Sequence, residues 1–148
     1  MFRKILADLA ATESLAARVA GLARAGDAIL LSGPLGAGKT AFARAFLRAA
    51  CNDPSLDVPS PSYTLVQTYE TARGRVHHYD LWRLDGPAPL AELGWDDARA
   101  DIALVEWPDR LGVSRPIDAL GIALHPGAGP DARVAVITGW LDRLGQLA

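Results

Sequence analysis

Cysteine is nearly missing from this chain. Cys51 is the only one in 148 residues, which excludes a disulfide framework and any cysteine-based zinc site. Lysine is scarce too. Lys4 and Lys39 are the two among 15 basic residues. No run of Lys or Arg exists to displace counterions from a nucleic-acid backbone, and the pI is about 5.9. A dedicated RNA or DNA binder is therefore not expected. No apolar run approaches the ~20 residues that span a bilayer. The opening MFRKILADLA has basic residues, but its apolar stretch is short and broken by Asp8. That is a poor secretory leader. Together these deficits predict a soluble, cytoplasmic protein without a membrane partner.

What is present suits an ordinary globular fold. The length fits one domain over residues 1–148, which buries roughly two-thirds of its unfolded surface. Half of the residues are hydrophobic, 27 of those 74 being alanine, and the larger apolar set is still ample. A short strand is expected at Phe2–Leu6. Thr12 is placed to N-cap a helix reaching about Arg24, with Leu15, Val19 and Leu22 on one face. Ala28–Ser32 is a continuous apolar run, the pattern of a central strand buried on both sides. A glycine-rich turn, Gly33–Gly38, leads into an Ala-rich helix from Lys39 to Ala50.

The middle of the chain changes character. Tyr63–Glu70 and Arg75–Leu84 have β-type composition, and Thr71–Gly74 suits the hairpin loop between them. A short helix is expected around Pro87–Leu93. Strands follow at Asp101–Glu106, Ile117–Leu124 and Ala132–Thr138, then a terminal helix at Trp140–Leu147. This order predicts an α/β fold with a mixed, partly antiparallel sheet and helices packed on it.

Gly33-Pro34-Leu35-Gly36-Ala37-Gly38-Lys39-Thr40 matches the phosphate-binding pattern G-x-x-x-x-G-K-[ST]. Glycines let such a loop turn several backbone N–H groups toward one anion. The helix that follows points its N-terminus and free N–H groups at the phosphate. The lysine reaches the β- and γ-phosphates, and the threonine hydroxyl ligates Mg²⁺. At this composition the pattern arises by chance roughly once in a thousand such chains. The preceding strand and following helix are the confirming context, and one of only two lysines fills the key position.

A P-loop also needs a carboxylate at a neighbouring strand end, to hold Mg²⁺ or position water. Glu106 ends the apolar strand Ile102–Val105, and Asp80 lies within a less apolar one, beside Val76–Tyr79. The hydrophobic pattern favours Glu106 as the metal-linked group. A guanine-specific enzyme is not expected, because N-K-x-D needs an asparagine and the only one is Asn52, with no Lys-x-Asp after it. Asp118–Gly121 fits D-x-x-G only inside an apolar stretch. His77 and His78, as adjacent strand residues, point to opposite faces and cannot chelate one metal together. A structural role is expected for each.

GPLGAGKT (33–40), SPSYTLV (60–66), HYDLWRL (78–84), ELGWDD (92–97) and VEWPDRL (105–111) occur in this order. Together they closely resemble the TsaE family, bacterial P-loop ATPases of tRNA threonylcarbamoyladenosine synthesis. The resemblance implies a P-loop NTPase-like three-layer sandwich and a Mg²⁺-dependent ATPase with ATP and Mg²⁺ as cofactors. It implies action on the TsaB–TsaD pair, with tRNA met only through that complex. Gly36, Ala37, Gly38 and Lys39 would cradle phosphates, with Gly33 and Ala41 flanking them. Thr40 and Glu106 would hold Mg²⁺. Asp80 would be the second functional carboxylate, orienting water. Ser60–Thr64 resembles the family's switch-like segment. Thr12 and Arg133 match positions beside the nucleotide.

Three positions depart from the family pattern. Pro34 replaces an Asp and removes one backbone donor. Ser62 stands for Thr, and Trp82 for Tyr. Lys39, Thr40, Asp80 and Glu106 are untouched. No arginine is evidently placed as a finger in cis, apart from Arg44 and Arg133, so slow intrinsic turnover is expected. Such a residue is worth ~10³–10⁵ in rate. Two other readings remain open: a small-molecule phosphotransferase, and a nucleotide-gated binding module that does not hydrolyse.

Overall fold

The computed structural model describes residues 1–148. Strand β1 (Phe2–Leu6) leads to helix α1 (Leu9–Leu22), then β2 (Ala28–Ser32) and α2 (Lys39–Ala50). The hairpin β3 (Val66–Thr71) and β4 (Gly74–Asp80) follows. Then come the short helix α3 (Trp95–Ala100), β5 (Ile102–Glu106), β6 (Leu120–Pro126) and β7 (Arg133–Thr138). Single 3₁₀ segments occupy Ala88–Leu93, Pro108–Ser114 and Leu144–Leu147.

All seven strands form one sheet in the order β1-β7-β6-β2-β5-β4-β3. Its centre is parallel: β2 pairs with β5 and β6, and β4 pairs with β5, all in parallel. The flanks are antiparallel: β3 on β4, β7 on β6 and β1 on β7. β2 is the fourth of seven, which explains its unbroken apolar run. Ile29 and Leu31 point to one face, Ala28 and Leu30 to the other, and all are buried.

Two apolar layers result. On one face α1 and α2 pack Leu15, Val19, Phe42 and Phe46 against Ile29, Leu31, Ile102 and Leu104. On the other, Tyr79, Leu81, Leu84, Leu90, Trp95 and Leu111 cover Leu30 and Val105. The second layer contains only α3 and two 3₁₀ segments, so the sandwich has three layers of unequal depth. Tyr79 and Trp95 meet there edge-to-face, with centroids 5.4 Å apart.

Several boundaries differ from the sequence expectation. Helix α1 is capped by Asp8, whose carboxylate accepts from the Ala11 amide, and not by Thr12. Thr12 lies one turn inside, buried. An acidic side chain suits the positive helix end, and the cap moves one turn earlier because Leu9–Ala11 are good enough helix formers to continue it. Tyr63–Leu65 stay outside β3, since Leu65 takes a left-handed backbone at φ 69°. The loop of that hairpin is only Ala72 and Arg73, because Thr71 pairs with Gly74. Strand β6 starts at Leu120, three residues later than expected, and the C-terminal helix is reduced to a 3₁₀ turn. Helix α3 had no strong apolar period to announce it.

Candidate functional site

The loop after β2 is shaped by two glycines whose replacement the fold resists. A Cβ on Gly33, at φ 142°, would overlap the carbonyl oxygen of Leu124. A Cβ on Gly38, at φ 102°, would press on the Arg133 side chain at 3.3 Å. Gly38 is also the residue that opens α2, and no side chain caps that helix. Its first amides are therefore left for an anion.

At the C-terminal edge of the parallel strands, β2, β5 and β4 place the loop, Glu106 and Asp80 side by side. Asp80 and Glu106 are register partners on adjacent parallel strands, and Glu106 is in turn the partner of Leu31. This is where open α/β sheets bind ligands. A cleft of about 290 Å³ opens there, lined by Gly36, Gly38, Lys39, Thr40, Ala41, Ser60, Ser62, Asp80, Glu106, Trp107 and Leu35.

Each polar group in the cleft is held. The Thr40 hydroxyl donates to Glu106 Oε1 at 2.9 Å. The other carboxylate oxygen, Oε2, lies 2.8 Å from Nε2 of fully buried His78. Asp80 Oδ2 accepts from Ser62 at 2.9 Å and from Ser60 at 3.4 Å, and Oδ1 accepts from the Trp82 amide at 3.1 Å. Lys39 folds back to donate to the carbonyls of Gly33 and Pro34 at 2.7 and 2.9 Å. Its ammonium lies 4.2 Å from the ring centre of Trp107, a cation–π contact. Burial pushes the Lys39 ammonium below its ordinary range, and the carboxylates of Glu106, Asp80 and Asp109 partly restore it.

Of the residues singled out in the sequence, Gly36, Gly38, Lys39, Thr40, Ala41, Asp80 and Glu106 line one cleft. Gly33 and Ala37 serve it from behind: Gly33 through its carbonyl to Lys39, Ala37 through its carbonyl to Arg133 Nε at 2.7 Å. Arg133 also donates to Gly36 O at 3.3 Å, so it braces the loop from beneath. Thr12 and Arg133 lie outside the cleft lining. Trp107 and His78 were not singled out as site residues in the sequence, yet they contact Lys39 and Glu106 respectively. Trp107 takes a left-handed backbone, φ 61°, directly after Glu106, and that turn tips its ring over Lys39. His78 is two residues before Asp80 on β4, so both face the same side. That spacing was the available signal.

The donor set fits a magnesium–phosphate ligand. Thr40 keeps hydroxyl lone pairs free after giving its proton to Glu106, and a hard cation takes oxygen ligands. No cluster of three or more His, Cys, Asp or Glu side chains suited to a metal exists in the fold. A cation here would be completed by phosphate oxygens and water, as Mg²⁺ sites at phosphates usually are.

A family model described as "Threonylcarbamoyl adenosine biosynthesis protein TsaE" matches residues 6–133. The chain belongs to the TsaE family. The tRNA threonylcarbamoyladenosine biosynthesis protein TsaE of Rickettsia felis is 38% identical over 99 residues, 66% of this chain and 57% of that protein. The chain thus spans a little over half the length of that relative. The protein of the same name from Bacillus subtilis is 30% identical over 129 residues, 86% of this chain and 78% of its own. The crystal structure of Bacillus subtilis YdiB superposes with a TM-score of 0.76 at 25% identity, covering 99% of this chain and 90% of that one. The mixed sheet with a P-loop-like arrangement is therefore shared with a solved fold. TsaE proteins take part in tRNA threonylcarbamoyladenosine biosynthesis. No helix here is long and apolar enough to cross a membrane.

Proposed function

We propose that this TsaE chain is a Mg²⁺-dependent ATPase of low intrinsic rate that acts on the TsaB–TsaD pair during threonylcarbamoyladenosine synthesis. The observation that carries this reading is the contact of Thr40 with Glu106 at the mouth of the phosphate loop, with Asp80 facing the same cleft. The open amides at the start of α2 would take the phosphate tail, with Lys39 leaving its loop carbonyls to meet it. Thr40 and Glu106 would hold Mg²⁺, which when bound neutralises charge on the phosphate oxygens. Asp80, fixed by Ser62, Ser60 and the Trp82 amide, would accept a hydrogen bond from the attacking water.

Slow turnover is supported by the fate of Arg133. Its guanidinium donates to the carbonyls of Ala37, Gly36, Pro130 and Ala132, so it is spent on the loop. A residue so engaged is unsuited to stabilise charge on a transferring phosphoryl group.

The test is phosphate release from ATP by the purified chain, alone and with TsaB–TsaD, with Lys39→Ala as the blank. A slow basal rate that rises with the partners is expected. A rate at the blank's level in both conditions overturns the reading in favour of a nucleotide-gated binding module.

A further inference from the structure

We infer that His78 is a positioning residue for Glu106: its Nε2–H fixes the carboxylate so that Oε1 meets Thr40 and the pair can share a cation. This rests on the proposed Mg²⁺–nucleotide reading and extends it to a residue outside the cleft lining.

Three observations carry it. First, His78 is fully buried, and its one polar contact is to Glu106 Oε2 at 2.8 Å. A carboxylate oxygen accepts, so we place the shared proton on Nε2. Second, the contact completes a chain from His78 Nε2 through both oxygens of Glu106 to the Thr40 hydroxyl. One end is locked in the core, and the other borders the cleft. Third, His78 Nδ1 is buried with no hydrogen-bond partner. A residue present only to fill the core would avoid that orphan, since an unpaired buried polar atom is costly and an apolar side chain of similar size has none. The orphan is tolerated because the other nitrogen is committed. The neighbouring His77 makes the contrast. It faces the opposite side of β4 and pairs with the part-exposed Asp101 at 2.8 Å, remote from the cleft.

The geometry also says which replacement should rescue. Glutamine carries its amide nitrogen the same number of bonds from Cα as imidazole Nε2, so His78→Gln keeps a donor toward Glu106. Asparagine carries its nitrogen where Nδ1 stands and loses that donor, as does leucine. Ligands held by an outer hydrogen bond typically lose ten- to hundredfold in metal affinity without it.

The experiment measures binding of an ATP analogue that resists hydrolysis, with Mg²⁺ titrated in and with EDTA, for the full chain and the three variants. The expected result is a Mg²⁺ requirement raised about tenfold or more in His78→Asn and His78→Leu. In His78→Gln it should stay within about threefold of the parent, and binding in EDTA should be equal in all four. Unchanged Mg²⁺ dependence in His78→Asn overturns the inference, as does equal loss with and without metal. Should the variants fail to fold, nitrogen NMR of the parent decides, because only three histidines need assigning. An Nε2–H tautomer whose proton shifts on adding Mg²⁺ and analogue is expected. An Nδ1–H tautomer overturns it. A parent chain whose nucleotide binding ignores Mg²⁺ would instead sink the underlying ATPase reading.

Discussion

Thr40 and Glu106 stand 66 positions apart in the chain and meet at 2.9 Å, hydroxyl to carboxylate. One lies in the first turn of α2 and the other closes β5, so the contact exists only because β2 and β5 are parallel neighbours. Replacing Thr40 by valine keeps the shape and removes the hydroxyl. The expected outcome is a Mg²⁺ requirement raised at least tenfold with metal-free nucleotide binding retained. A Mg²⁺ titration of analogue binding checks it.

Asp80 is buried among two serine hydroxyls and a backbone amide, an arrangement that holds a carboxylate still. Asp80→Ala should lower turnover by about 10²–10⁴, the usual contribution of a positioned acid–base group, with nucleotide affinity changed less than about threefold. Steady-state phosphate release beside equilibrium binding separates the two. Normal turnover would remove Asp80 from the mechanism.

Nucleotide affinity should depend on alkaline pH through Lys39. Burial, opposed by Glu106, Asp80 and Asp109, holds its ammonium below the ordinary 10.5. A bound phosphate favours the charged form and raises it again. In the window between the lowered value and 10.5, nucleotide binding should take up a proton, and affinity should fall as pH rises. Calorimetry in two buffers of different ionisation enthalpy detects the uptake. The unfolded chain holds more protons at this lysine in the same window, so its contribution to folding stability should rise with pH there. Lys39→Ala should abolish nucleotide binding.

Tyr79 supplies the opposite sign. Its hydroxyl donates to the Leu93 carbonyl at 2.8 Å, and burial, aided by the charge of Asp97, pushes its pKa from 10.0 to about 12. Between those values the unfolded state has lost the proton and the folded state keeps it. Folding stability should therefore fall as pH rises from 10 to 12, by roughly 2 kcal/mol. Denaturant melts across that range measure the slope, and Tyr79→Phe should remove this contribution.

The sequence made some features legible because the signal was local. Phe2–Leu6, Ala28–Ser32 and Lys39–Ala50 coincide with β1, β2 and α2, since their composition is locally distinctive and a glycine-rich turn separates the last two. The loop Gly33–Thr40 was legible for the same reason: eight consecutive residues carry its pattern. Asp8 was missed as the cap of α1 because Thr12 is also a capping residue, and nothing local to Thr12 shows that Leu9–Ala11 continue the helix one turn earlier. Tyr63–Leu65 have strand composition, yet they stay outside β3 because Leu65 takes a left-handed backbone, although its carbonyl still accepts from the Asp80 amide.

By itself the sequence determined the chemistry on offer: a loop of amides, one lysine placed in it, a hydroxyl, and two carboxylates, Glu106 at a strand end and Asp80 in a neighbouring β segment. It also determined the family, through motifs spread from the phosphate loop to Leu111. Only the tertiary structure decided which groups touch. The parallel register of β2, β5 and β4 brings Glu106 against Thr40 and sets Asp80 beside it. The same register turns His78 inward to Glu106 and His77 away to Asp101. Adjacent strand residues face opposite sides, so two neighbouring histidines of identical composition acquire unrelated surroundings. That assignment depends on which strands pair, and strand pairing is a long-range property no local window contains.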